Sequence, residues 1–201
     1  MKRNYHTNLA FLDLLFNTLL CFAMLFCLAF ILINPARQDK NSDINAGFII
    51  TVVWPASLDD DVDTYVSDPQ NNLVAYMRRE QGLMHLDRDD VGFKSDRIVT
   101  PSGVVEFKEN REVVTLRGTL SGEYVVNVHW FNTRSNATTI PVSIRLERLT
   151  PFKIITGRDI TLNNVKDEQT AFRFTVNAQG EVTSVNHLPK SLISQHVSPT
   201  P

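Results

Sequence analysis

The sequence predicts an all-β protein, an antiparallel β-sandwich or jelly-roll-like domain behind a single N-terminal transmembrane helix. Three observations lead to this reading. A run of twenty-five mostly apolar residues, Leu9–Ile33, comes before everything else. From Gly47 onward, short segments rich in Val, Ile, Phe and Tyr recur, separated by Gly, Pro, Asp and Ser. No long stretch among them repeats apolar residues at helical spacing.

Residues 1–8 are read as a short cytoplasmic tail carrying Lys2 and Arg3. At ~1.5 Å per residue, the apolar run at 9–33 is long enough to cross a ~30 Å hydrocarbon core with some tilt. A cleaved signal peptide has a shorter apolar region and a small-residue cleavage site, and Asn34-Pro35-Ala36-Arg37 is a poor one. A core helix of a soluble protein shows a polar face, which this run almost lacks. Residues 34–46 are polar, open with Asn-Pro and read as a linker.

The β-sandwich is expected over residues 47–187. Its strands are read at 47–54, 62–68, 73–77, 103–107, 111–118, 122–132, 139–149 and 171–177, with shorter candidates between. Period-2 alternation is clearest at Ile140, Val142, Ile144 and Leu146, with Pro141, Ser143, Arg145 and Glu147 on the opposite face. Residues 188–201 contain Ser, Pro and His and read as a flexible tail.

With 201 residues there is room for one ordinary domain and an anchor. Residues 41–201 hold 16 basic and 20 acidic side chains, which argues against nucleic acid as a partner. Both cysteines, Cys21 and Cys27, fall inside the apolar run, so the domain has no disulfide framework to propose. Basic residues flank the run on both sides, Lys2 and Arg3 against Arg37 and Lys40, so charge alone does not orient it. The short N-tail favours a cytoplasmic N-terminus and an exported domain.

Asp13 is the most informative residue. An ionisable side chain inside a spanning helix costs up to ~2.5–3.5 kcal/mol at the centre, so it is normally kept for a function or a buried partner. Asn17 lies four residues on and shares its face, with Thr18 beside it. This polar patch reads as a protein-protein face within the membrane. The competing explanation is that Asp13, close to the start of the run, reaches the headgroups and does nothing.

The stretch Phe11-Leu12-Asp13-Leu14-Leu15-Phe16-Asn17-Thr18-Leu19-Leu20-Cys21-Phe22 resembles the transmembrane helix of the small subunit of ion-driven motors, the group of Tol, Exb and flagellar stator proteins. The resemblance implies that Asp13 carries an ion, with Asn17 and Thr18 beside the path. It also implies a homodimer of this chain inside a ring of a polytopic membrane subunit, placed in a bacterial inner membrane with the domain in the periplasm. The Pro that often precedes the Asp in Tol and Exb proteins is replaced here by Ala10 or Phe11. In the domain, Trp54, Asp61-Val62-Asp63-Thr64-Tyr65-Val66-Ser67-Asp68-Pro69 and Gly122-Glu123-Tyr124-Val125-Val126-Asn127-Val128 resemble a class of bacterial exported β-sandwich domains.

Asp59, Asp60, Asp61, Asp63 and Asp68 form the densest charge cluster. On a strand, Asp59, Asp61 and Asp63 would share one face. Together with Asp68 they are the candidate metal ligands, with Ca²⁺ the cofactor that oxygen ligands of this kind would take. The spacing is not that of an EF-hand, and a solvated strand edge kept from pairing by its charges is the competing reading. No nucleophile elbow, phosphate-binding glycine loop or zinc-protease motif is present. His85, His129, His187 and His196 are scattered, and an enzyme is not expected.

The function expected is therefore a membrane-anchored, non-enzymatic subunit of an ion-driven motor or another energy-transducing envelope complex, whose exported domain engages an envelope partner. The alternative is an anchored exported binding module for carbohydrate, peptide or Ca²⁺, with Asp13 inert.

Overall fold

The computed structural model describes residues 6–33, 47–93 and 97–193. The expected linker at 34–46 and the two ends, 1–5 and 194–201, lie outside them. The chain divides into two units, Met1–Asp43 and Ile44–Pro201, each described here by itself.

The first unit contains the helix α1, His6–Ile33, which begins ahead of the expected Leu9. Its segment Leu9–Phe30 is long and apolar enough to cross a membrane, and none of it is buried. Large side chains project from every side of it, from Leu9 through Phe16 and Phe22 to Phe30. A helix that is apolar on nearly every side, broken only by the patch at Asp13, Asn17 and Thr18, is suited to lipid or to other membrane helices.

The second unit is built from β1 (Phe48–Val53), β2 (Asp60–Ser67), β3 (Leu73–Val74), β4 (Glu80–Gln81), β5 (Met84–Arg88), β6 (Arg97–Thr100), β7 (Gly103–Glu106), β8 (Arg111–Leu116), β9 (Gly122–Thr133), β10 (Ile140–Leu149), β11 (Phe152–Leu162), β12 (Glu168–Val176) and β13 (Val182–Asn186). One sheet has the order β11-β10-β1-β8-β5-β4 and the other β13-β12-β9-β2-β3, with β6-β7 a separate hairpin. Every strand pair is antiparallel. The result is the expected all-β sandwich.

Alternation explains the packing. Ile140, Val142, Ile144 and Leu146 on β10 are buried, as are Phe48, Ile50 and Val52 on β1. From the facing sheet, Tyr124, Val126, Val128 and Trp130 of β9 and Phe172 and Phe174 of β12 enter the same core. Tyr124 stacks on Phe174, with ring centroids 5.0 Å apart, and its hydroxyl accepts a 2.8 Å bond from the Leu120 N–H. Burying side chains of this size stabilises the fold by ~1.5–3 kcal/mol each.

The C-terminal segment differs from expectation. Residues 188–193 are not a free tail: Leu192 is buried against Tyr65, Leu73, Ala75 and Val125 on the outer face of the five-stranded sheet. The Lys190 carbonyl accepts from Asn127 and Thr170, and Glu168 accepts from Ser191 and from the Leu192 N–H. The polar composition concealed this because the polar groups are the attachment.

Candidate metal centre

The five-stranded sheet leaves part of one strand uncovered. β3 pairs with β2 only at Val66 and Ser67, so the preceding residues of β2 have β9 on one side and no strand on the other. The Thr64 N–H, at that open edge, is met from the opposite sheet: Glu112 of β8 accepts it through Oε2 at 2.6 Å. Glu112 faces inward with Val114 and Leu116 and is 1% exposed. A carboxylate has thus taken the hydrogen-bonding place of a neighbouring strand.

Two more carboxylates meet it there. Asp63 of β2 and Asp89, just past β5, each offer an oxygen within 4.8 Å of Glu112 and of each other. Four buried oxygens, Asp61 Oδ1, Asp63 Oδ2, Asp89 Oδ1 and Glu112 Oε1, have no hydrogen-bond partner among the described residues. Burial holds the Glu112 carboxyl well above the usual range. It raises Asp63 too, against the opposing pull of His129, whose Nδ1 is 3.8 Å away. Asp61 is pushed up to about 6, first by burial and then by the charge of Asp63, with Arg134 opposing. Buried carboxylates that repel one another and lack donors are costly as anions.

The surrounding acids have other work. Asp59 Oδ1 accepts from the Phe93 N–H at 3.0 Å and from Arg134 at 3.3 Å. Asp60 accepts from Ser135 at 2.5 Å, and Asp90 takes the Gly92 and Arg111 N–H groups and Arg88. These bonds tie the approaches to β2 and β8 to the loops that follow β5 and β9. Gly92 is obligatory at this junction: its φ is +76°, and a Cβ there would lie 2.6 Å from Asp59 Oδ1.

Of the ligands expected from sequence, only Asp63 belongs to the carboxylate group; Asp61 is buried near enough to feel the charge of Asp63, and Asp59 and Asp68 are bonded elsewhere. Asp68 closes a turn, accepting the Gln70 and Asn72 N–H groups at 2.8 and 2.9 Å and the Asn72 amide at 2.8 Å. Asp59 precedes β2, so the shared strand face assumed for it does not exist. The solvated-edge reading also fails, since Asp60, Asp61 and Asp63 are all buried. A bulge between Asp61 and Val62 further breaks the simple alternation.

Sequence reasoning missed Asp89 and Glu112. The signal for Glu112 was faint: in Arg111-Glu112-Val113-Val114-Thr115-Leu116 both alternating sets contain valine, so the inward set is ambiguous. His129 is a packing residue as well as a neighbour of Asp63, set edge-on to Tyr65 and Phe131.

On α1, Asp13 and Asn17 lie one turn apart. Thr18 differs from them, because its hydroxyl donates to the Leu14 carbonyl at 2.8 Å and is satisfied within the helix.

No known family and no curated protein matches this sequence. A crystal structure of an unknown function protein, SAV2460, is similar at 15% identity and a TM-score of 0.44, over 74% of this chain and 94% of that one.

Proposed function

We propose that this chain is a membrane-anchored, non-enzymatic subunit of an ion-driven motor or related energy-transducing complex. The observation that carries the reading is a wholly uncovered apolar helix interrupted on one face by Asp13 and Asn17. An intramembrane carboxylate on a single helix needs a partner, since lipid offers it neither donor nor counter-charge. A polytopic membrane subunit forming a ring around two copies of α1 supplies one. In this reading Asp13 takes up and releases the ion, Asn17 positions it, and the β-sandwich, outside the cytoplasm, engages an envelope partner.

The test is Asp13→Asn. The change keeps size and most hydrogen bonding but removes ionisation, and it eases insertion rather than hindering it. In cells making the complete membrane complex, ion flux followed with a pH- or sodium-sensitive dye should fall to background while the amount of membrane-inserted protein is unchanged. Full flux in the variant, or purification of the wild-type chain from its native membrane as a monomer without a partner, would overturn the reading.

A second reading, an anchored binding module with Asp13 inert, is favoured by one feature, the carboxylate group at the open edge of β2.

A further inference from the structure

We infer that the sandwich holds a hard divalent cation of calcium's size at the open edge of β2, ligated by Asp63, Asp89 and Glu112, with Asp61 alongside. The inference stands on the β-domain alone and does not depend on the role of Asp13.

The first support is geometric. Oxygens sharing one Ca²⁺ at ~2.3–2.6 Å are at most about 4.6–5.2 Å apart, which is the two ligand distances end to end. The three carboxylate oxygens here fall within 4.8 Å of one another. They come from three separate places, β2, the loop just past β5 and β8, so they do not line a single strand. Three carboxylates, monodentate or bidentate, and solvent can together complete the six to eight oxygens that calcium takes.

The second support is independent of the cluster's acidity. Glu112 is fully buried, and its carboxylate is held in place from one side: Oε2 accepts the Thr64 N–H, while Oε1 has no hydrogen-bond partner among the described residues, in a carboxylate that has an oxygen within 4.8 Å of Asp63 and Asp89. An oriented acid with one oxygen satisfied by backbone and the other orphaned is what an outer hydrogen bond does for a metal ligand. Fixed in this way, Glu112 could relieve its unmet oxygen by protonation, by a water or by a cation. Three neighbouring orphaned oxygens, on Asp61, Asp63 and Asp89, make a cation the better match, because a single proton satisfies one oxygen while a cation satisfies all that reach it. Asp68 and Asp90 are excluded as ligands because both oxygens of each accept hydrogen bonds, and Asp59 and Asp60 lie outside the group whose oxygens fall within 4.8 Å of one another.

The cation would link the sheets. β2 belongs to the five-stranded sheet and β8 and β5 to the six-stranded one. Binding would therefore clamp the layers at the end where β2 lacks a neighbour.

The experiment uses the full-length chain in detergent micelles. Chelator-treated protein is dialysed against CaCl₂ for bound calcium, and its melting is followed in calcium and in EDTA. One calcium per chain is expected, with Tm higher by about 10 °C when calcium is about 100 times its Kd. Glu112→Gln and Asp63→Asn should each abolish the shift. Glu112→Gln should still fold, melting in EDTA at or above the wild type, because it removes a buried charge without removing the Thr64 bond. That crossover separates lost ligation from general damage. Equal wild-type melting in calcium and EDTA with no calcium retained would overturn the site, as would undiminished calcium binding by both variants.

Discussion

The Thr64 N–H on one sheet donates to Glu112 Oε2 on the other, a 2.6 Å bond between residues 48 apart in sequence. It joins the two layers of the sandwich at the place where β2 has a strand on one side only, and it fixes the Glu112 carboxylate beside Asp63 and Asp89. Several consequences can be measured.

The pH dependence of the cation-free chain should be inverted at this site. Asp61, Asp63 and Glu112 are all raised by burial, so the folded state binds their protons more tightly than the unfolded state does. Their contribution is then favourable below the unfolded values and lost as pH rises through the folded ones. For Asp61 that window runs from about 4, its unfolded value, to about 6. In EDTA, Tm should be higher at pH 5 than at pH 7, and Glu112→Gln should flatten the difference. Scanning calorimetry at the two pH values decides this.

Glu168 should behave in the opposite sense. Burial raises it, but bonds from Ser191, the Leu192 N–H, Asn127 and the Ile193 N–H outweigh burial and leave its pKa lowered. Its contribution is present above the unfolded value and disappears as pH falls through the lowered folded one. Glu168→Ala should free residues 188–193, visible as faster proteolysis of that segment, while β12 stays protected from hydrogen exchange.

Asp68→Ala removes three hydrogen bonds that close the turn after β2, two of them to backbone. A loss of about 1–3 kcal/mol is expected in denaturant unfolding. Any calcium-dependent shift in Tm should be kept in full, since Asp68 lies outside the carboxylate group.

Leu146→Ala opens a cavity in a core position that is 0% exposed, between the two sheets. The cost should be about 2–5 kcal/mol, against less than 1 kcal/mol for Arg145→Ala on the outward face of the same strand. Urea midpoints of the two variants give the comparison.

Topology can be read with reporters at the C-terminus. If α1 places the domain outside the cytoplasm, an alkaline phosphatase fusion should be active and a reporter that needs the cytoplasm silent. The reverse pattern would place the β-sandwich inside the cell.

The sequence by itself determined the elements whose signals are local. A run of lipid-compatible length identified α1, and period-2 burial on β10 could be read at Ile140, Val142, Ile144 and Leu146 without reference to any other strand. Gly122, Tyr124, Val126 and Val128 likewise marked β9. The acidic residues were visible as a group, but a group in sequence is not a group in space. Tertiary structure decided which of them meet: it turned Asp59 toward Arg134 and Phe93, spent Asp68 on its own turn, and brought Asp89 and Glu112 from distant strands to Asp63. It also fastened residues 188–193 to the sheet through Glu168. The reason is physical. Alternation and hydropathy are properties of neighbouring residues, whereas the order of strands in an antiparallel sandwich, and so the convergence of carboxylates at its open edge, is set by pairing between segments far apart in the chain.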